Sequence, residues 1–482
     1  MTVDVSGPAV EAKLIKLVDR RNEASERYNR AARIFDLTPY LGPQGSIHTQ
    51  KSVNQAYGSC AITISDRLES DTLDTVMALV EPMDMIEVRA TVTPHLYLGR
   101  AKPLIMRFFV TDVRRTESAG AAEAPIRTVT ISGEDAGKLL QIHHVWWQVA
   151  ALLEPEQAFL DVFRMQATTG VDVGFMAAGE FMKQVLQFAN RKIAKLPAWE
   201  NGLMRPFQLL NQVKQGLVSP NRGASFQGSI WNLLQQAADQ PWNELWVDDM
   251  PPDGDADPGD ERPTLIFRPT PFRDKDGNLL NGATDPGLFE MPDRYIHSIN
   301  LARTDRNTAN WFWVPPGQTG LESANLITVA SLRSGEQFDF KHPNNNPDLY
   351  GIKKMEQATS LLPSEYAGEV EAGSNHLVNW HVLRSNQLRD MNRDNTLWED
   401  GDLTMAGYED AKCGQEVLVR RGGFTWRAYV TGVSHTIRAL ADWTTTLTLV
   451  RGTAFIERVR RKEGAMLQEV GRGPYSRTGR SQ

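Results

Sequence analysis

From residue 59 the apolar residues recur at every second position. In residues 59–65, Cys60, Ile62 and Ile64 share one parity, while Ala61, Thr63 and Ser65 take the other. In residues 85–93, Ile86, Val88, Ala90 and Val92 alternate with Glu87, Arg89, Thr91 and Thr93. That period predicts half-buried β-strands, because successive side chains of a strand point to opposite faces. Residues 104–113 and 127–133 read as further strands, separated by the loop 117–125. The pattern returns late in the chain, in residues 416–421, 425–433 and 444–452.

Other stretches carry a longer period. Residues 9–33 are rich in charge and free of Pro and Gly, and Leu14, Leu17 and Val18 begin a stripe at helical spacing. This predicts a solvated helical arm. Residues 133–160 and 179–196 are rich in helix formers; Met182, Val185, Leu186, Ala189 and Ile193 form one stripe. Residues 229–239 predict a short helix ended by Pro241. The Pro- and Asp-rich run 248–260 reads as an exposed loop, the strand-like 264–269 follows, and Asp276-Gly277 signals a turn. Residues after 463 are rich in Gly, Arg and Ser and are expected to be loose.

The two β regions resemble each other in order. Asp84-Met85-Ile86-Glu87-Val88-Arg89 answers to Gln415-Glu416-Val417-Leu418-Val419-Arg420. Phe109-Val110-Thr111-Asp112-Val113 answers to Tyr429-Val430-Thr431-Gly432-Val433, and Thr128-Val129-Thr130-Ile131 to Thr446-Leu447-Thr448-Leu449. The offsets are 331, 320 and 318 residues, so loops differ while strand order is kept. Convergence of common strand patterns is the competing explanation, but three matching pieces in one order favour a β motif used twice. Three chains with two such units each can close a ring of six similar positions, and closure pairs edges that otherwise invite aggregation.

Bulk properties narrow the function. A chain of 482 residues with 41% hydrophobic and 23% charged residues is an ordinary globular protein of several domains. No apolar run approaches the roughly 18 residues that span a bilayer, and the first residues lack the pattern of a secretory signal. A formal net charge of -7 argues against a protein that grips nucleic acid through phosphates. Cys60 and Cys413 are the only cysteines, far apart, and are expected to be buried free thiols.

Catalytic and metal motifs are missing: there is no H-E-x-x-H, G-x-S-x-G, Walker A loop or Cys-x-x-Cys. No catalytic, cofactor or metal residue is therefore assigned. His143-His144 precede Trp146-Trp147 in an expected helix, where neighbours point about 100° apart and rarely share a metal. His435 reads as a structural histidine in a strand. Asp253, Asp255 and Asp257 imitate the start of a calcium loop, but Pro258 and Thr264 stand where Gly and Glu are needed. Trp311, Phe312 and Trp313 are expected to pack in a core, with a subunit contact as the competing role.

Several segments together resemble the baseplate hub family of contractile phage tails, which includes late-control D-like proteins and the base of type VI secretion spikes. They are residues 58–90, Ile131 to Leu140, residues 263–272 with 297–316, and the run Ala428 to His435 followed by 443–449 and Arg451-Gly452. The resemblance spans residues 55–455. It implies an α+β, mainly β fold with two similar antiparallel β tube or barrel domains and an interposed helical region. The expected divisions are a helical arm 1–35, a first β tube domain 36–140, a helical region 141–240, a mixed β and loop domain 241–375, a second β tube domain 376–460 and a flexible tail 461–482.

The same resemblance implies a non-enzymatic virion protein of the tail baseplate, assembled in the host cytoplasm, without cofactor or membrane anchor. It would be a homotrimer joining a hexameric tail tube to a trimeric central spike. Its partners would be the tail tube protein or tube initiator, the spike, baseplate wedge proteins and the tape measure protein, with DNA passing through the lumen without specific binding. The N-terminal charged segment has no match in the family. No lysozyme or needle domain follows the second β region, so the spike and any cell-wall hydrolase are expected to be separate chains. Two other readings compete: a tail-associated peptidoglycan hydrolase, and a carbohydrate-binding β module, against which the helical middle and the repeat argue.

Overall fold

The computed structural model describes residues 7–18, 28–42, 45–66, 75–118, 126–146, 176–194, 196–200, 202–218, 227–250, 259–315, 335, 337–363, 373–421, 424–439 and 441–453. The fold is α+β and mainly β, with helices between two antiparallel β units.

The first unit begins with β1 (Ala9–Val18) and β2 (Tyr28–Asp36), then β3 (Ser46–Ser52) and β4 (Ser59–Ser65). The one-turn helix α1 (Val76–Leu79) leads to β5 (Met85–Thr91), β6 (Leu104–Ser118) and β7 (Ile126–Asp135). Their order in the sheet is β3-β4-β7-β6-β5-β1-β2. Cys60, Ile62 and Ile64 are buried as the alternation requires, and pack with Val88, Phe108, Val110 and Ile131.

The expected N-terminal helical arm is not formed. Residues 9–18 and 28–36 are strands, and β1 lies antiparallel to β5 with Leu14 opposite Ile86. The period that counts is two: Val10, Ala12 and Leu14 face the core. Lys16 obscures it, because its buried ammonium sits 2.7 Å from Asp84, whose other oxygen accepts the Leu17 N–H. A charged residue thus occupies an inward position with its partner, Asp84, supplied just ahead of β5.

The middle segment contains α2 (Gly137–Ile142), β8 (His144–Trp146), β9 (Met176–Ala177), α3 (Ala178–Ile193), α4 (Pro197–Glu200), β10 (Gln208–Asn211), β11 (Leu217–Val218), β12 (Gln227–Ser229) and α5 (Ile230–Ala238). The helix expected over residues 133–160 is corrected: the strand β7 continues to Asp135, α2 is short, and His144 lies in β8; residues 147–160 lie outside the described residues. The expected stripe on α3 is buried, with Met182, Val185, Leu186, Ala189 and Ile193 in one core with α5. Ser229 caps α5 by accepting the Asn232 N–H, the usual role of a serine at that position.

The hairpin β13 (Asn243–Met250) and β14 (Arg262–Pro269) follows. The second β unit then takes β15 (Leu288–Pro292) and β16 (Ile296–Ala302), before β17 (Trp311–Trp313), α6 (Pro347–Tyr350), β18 (Lys354–Glu356) and the long α7 (Gly373–Asn392). It closes with β19 (Glu399–Ala406), β20 (Glu416–Arg421), β21 (Phe424–Ile437) and β22 (Trp443–Thr453). The second unit is therefore wider than residues 376–460, since β15 and β16 come from the segment expected to be a separate mixed domain. Sheet order is β16-β19-β22-β21, with β20 between β21 and β15. The tail 461–482 lies outside the described residues.

The internal repeat is real in three dimensions. Met85 pairs with Phe109, and Glu416 with Tyr429. Each unit has a bulge after the matching valine, between Val110 and Asp112 and between Val430 and Gly432. In one unit Val110 N–H donates to the Asp84 carbonyl and Met83 N–H to the Val110 carbonyl, both at 2.8 Å; Val430 with Gln415 and Gly414 repeats both bonds at the same length. Met83 and Gly414 both have positive φ, 73° and 82°, a conformation Gly adopts freely and Met does not. The third matched segment needs a correction. Val113 lies opposite Ile131 and Val433 opposite Leu447, so the β7 residues answer to β22 residues two positions earlier than the sequence pattern indicates. A two-residue slip leaves every side chain on its face, so the pattern alone does not reveal it.

Candidate assembly interface

The two units are joined edge to edge within the chain. β21 is long enough to serve two neighbours along one edge: residues 424–429 pair with β20, and past the bulge residues 432–437 pair with β3 of the first unit. The second ladder runs antiparallel from Gly432 opposite Ser52 to Ile437 opposite Ile47. Val433, His435 and Ile437 point into the core, with Ile47 and Thr49 across from them. On the other face Thr436 and His48 share a hydrogen bond of 3.2 Å. The junction continues at the β21 bulge, where the Thr431 carbonyl accepts the Val53 N–H at 2.9 Å and the Ser52 hydroxyl at 3.0 Å.

A buried ionic cluster lies beneath this joint. Lys51 Nζ is 2.8 Å from Asp248 Oδ1 and 3.2 Å from Asp135 Oδ2, so β3, β13 and the end of β7 meet at one ammonium. Burial pulls the Lys51 pKa down, but Asp248, Asp135 and Asp249 outweigh it and hold it well above the usual lysine range. Asp135 responds the other way: burial pushes its carboxyl up to about 6 against the opposing pull of Lys51. Burial also favours the neutral form of Asp248, yet Lys51 and Lys412 keep it below the ordinary value. A cavity of about 40 Å³ borders the cluster, lined in part by Asp249, Glu409 and Lys412. It has room for water and not for a sugar or peptide.

A second polar group ties the β13–β14 hairpin to the second unit. Tyr429 Oη donates to Glu244 at 2.6 Å, Arg268 Nε donates to the same carboxylate at 3.2 Å, and Arg268 Nη2 donates to Tyr429 Oη at 3.1 Å. Burial raises the Glu244 pKa against Arg268 and Tyr429. Phe109 holds the Tyr429 position in the first unit. The hydroxyl is thus a difference between otherwise matching units.

The residues singled out in the sequence fall away from any common centre. His435 is buried, its Nδ1 3.0 Å from Thr445 Oγ1 and 3.3 Å from Trp443 Nε1; burial, then His48, lowers its pKa to about 4. It is a neutral packing group. The pKa of His143 is lowered by burial, Lys192 and His144. Asp253, Asp255 and Asp257 lie outside the described residues. Phe312 is fully buried and packs with Trp242, Leu388 and Met391, whereas Trp311 and Trp313 are half-buried beside the Lys354 ammonium. Cys60 and Cys413 are free and buried, and burial raises both thiols. Among the described residues, no three His, Cys, Asp or Glu side chains are grouped to hold a metal ion, and no helix is long and apolar enough to cross a membrane.

No protein-family model matches this sequence, and no curated protein matches it. Solved structures do. The chain is similar to a tail protein from Neisseria meningitidis MC58, with a TM-score of 0.46 and 12% identity over 92% of this chain and 97% of that one. It is similar to the 43 kDa tail protein of prophage MuSo2 from Shewanella oneidensis, with a TM-score of 0.46 and 10% identity over 92% and 97% of the two chains. It is also similar to a type VI secretion system component of E. coli, with a TM-score of 0.35 and 9% identity over 85% of this chain and 75% of that one. Phage tail proteins and a secretion component are thus among the solved structures to which the chain is similar.

Proposed function

We propose that this chain is a structural hub at the tip of a contractile phage tail, where it works as a homotrimer without catalysis. Three copies supply six β units, and the six form a ring that stacks under a hexameric tail tube. The opposite side of the ring holds a trimeric central spike, and wedge proteins surround it. The tape measure protein and then DNA pass through the lumen, and the acidic balance of the chain keeps nucleic acid from adhering to the wall.

The observation that carries this reading is the paired hydrogen-bond signature of the two units, in which Val110 and Val430 make the same two backbone bonds beside the same bulge. Units that match at this level can occupy near-equivalent positions in one ring. The β21–β3 ladder sets the angle between them, which a ring requires.

Light scattering on the purified full chain, with electron microscopy of the same sample, tests the proposal. Three copies per particle and a ring with six similar lobes are expected. A monomer at all concentrations overturns it, and release of soluble fragments from purified cell walls favours the hydrolase reading instead.

A further inference from the structure

The joint inside the chain pairs β21 with β3, and each of these strands has a counterpart in the other unit. Strand pairing gives a complete correspondence between the two units. Ile62 of β4 lies opposite Ile131 of β7, and Leu403 of β19 opposite Leu447 of β22. Ile47 of β3 lies opposite Ile62, and Ile299 of β16 opposite Leu403. So β3, β4, β7, β6 and β5 answer to β16, β19, β22, β21 and β20. β21 gives residues 432–437 to β3, and its counterpart β6 carries the same length of edge beyond β5 with no strand on it among the described residues. β16, the counterpart of β3, ends the sheet, and its outer edge carries no strand among the described residues.

Burial marks both edges as incomplete. Ile47 and Thr49 are 1% and 2% exposed because β21 covers them, whereas Ile299 and Leu301 at matching positions of β16 are only half-buried. Val433, His435 and Ile437 are buried in the joint, but of their β6 counterparts Val113 is half-buried and Arg115 and Glu117 are exposed. One chain therefore has one filled joint and the two separate halves of a second.

We propose that β16 of one chain adds to residues 112–117 of β6 in the next, antiparallel and in the register that β3 and β21 already use. That register sets Val113 opposite Arg303, Arg114 opposite Ala302, Arg115 opposite Leu301, Thr116 opposite Asn300 and Glu117 opposite Ile299. Thr116 and Asn300 then replace Thr436 and His48, keeping a hydroxyl across from a hydrogen-bonding side chain. The partner is a second copy of this chain in a head-to-tail contact, which closes when the rotation per chain divides a full turn. Only the number of chains in the closed ring rests on the trimer reading.

Cysteine pairs read the register directly. Two full-length double variants, Arg114→Cys with Ala302→Cys and Arg115→Cys with Leu301→Cys, place thiols at opposed positions, so at least one falls at the closer of the two alternating spacings. A third, Thr116→Cys with Ala302→Cys, is displaced by two residues, beyond the Cβ spacing of about 4 Å that a disulfide tolerates. After mild oxidation, denaturing gels without reductant should show covalent dimers and trimers for an in-register pair and monomers for the displaced one. Trimers by light scattering with neither in-register pair cross-linked overturn this joint and leave the hub reading standing. Cross-linking of the displaced pair alone overturns the register. Monomers in light scattering overturn both.

Discussion

Replacing Asp135 with Asn should change how stability depends on pH in a way that isolates the charge cluster under the joint. Asp135 is 1% exposed, its Oδ1 accepts the Gly137 N–H at 2.9 Å, and its Oδ2 faces Lys51. Burial, opposed by Lys51, places its folded pKa at about 6, against about 3.9 in the unfolded chain. The folded pKa is the higher one, so between these values the native state holds a proton that the unfolded state has released. Stability from this group is complete below about pH 4 and is lost as pH rises through about 6, a total of about 3 kcal/mol at roughly 1.4 kcal/mol per pKa unit. About 1.4 kcal/mol of that loss falls between pH 5 and 8. Asn keeps an oxygen for the Gly137 N–H and has no proton to lose. Urea unfolding followed by tryptophan fluorescence at pH 5, 6, 7 and 8 gives both curves, and titrations common to both proteins cancel in the difference. The variant should gain on the wild type by about 1.4 kcal/mol across this range. A difference that stays constant, or moves the other way, refutes the placement of Asp135 in a buried cluster.

Val110 and Val430 are both fully buried at matching positions, so Val110→Asp and Val430→Asp should each cost on the order of several kcal/mol in urea unfolding; if Val430→Asp still forms normal particles, the burial argument fails. Leu449→Ala removes a side chain that is 1% exposed and should cost about 2–5 kcal/mol, while Arg114→Ala on the exposed part of β6 should stay within about 0.5 kcal/mol. Tyr429→Phe installs the residue of the first unit and takes one donor from the buried Glu244 carboxylate. A loss of about 1–3 kcal/mol is expected in thermal unfolding, and because burial raises the Glu244 pKa the loss should shrink as pH falls and the carboxylate takes up a proton.

The β units were legible where a strand shows its buried parity clearly, so Cys60, Ile62 and Ile64 or Val417 and Val419 announce their face without tertiary information. The N-terminal strand hid itself for the opposite reason. Its inward Lys16 is paired with Asp84 across the sheet, and a lysine in the stripe makes helical spacing look better than alternation. Local composition favours a helix at His144 and its neighbours, but the backbone there pairs with β12, a contact more than 80 residues away. The joint was invisible for the same reason. Lys51 and Asp248 are 197 residues apart, and neither sits in a motif; only the crossing of β3 and β13 brings them together.

The two units match where the proposed ring demands it and differ where it does not. From β3 to β7 and from β16 to β22 the order and the bulge agree. Beyond β5 and β20 the agreement ends: β5 takes β1 in antiparallel register and β2 follows, whereas β20 takes β15 in parallel. A ladder repeated around a closed ring must have one geometry at every joint, because an error at each step accumulates around the circle. Edges outside the ladder escape that constraint and are free to diverge. In the proposed trimer, one part of the ring therefore repeats at six positions and another at three. A protein that must meet a sixfold partner on one side and a threefold partner on the other needs both repeats from a single chain, and a duplicated unit with unequal outer edges supplies them.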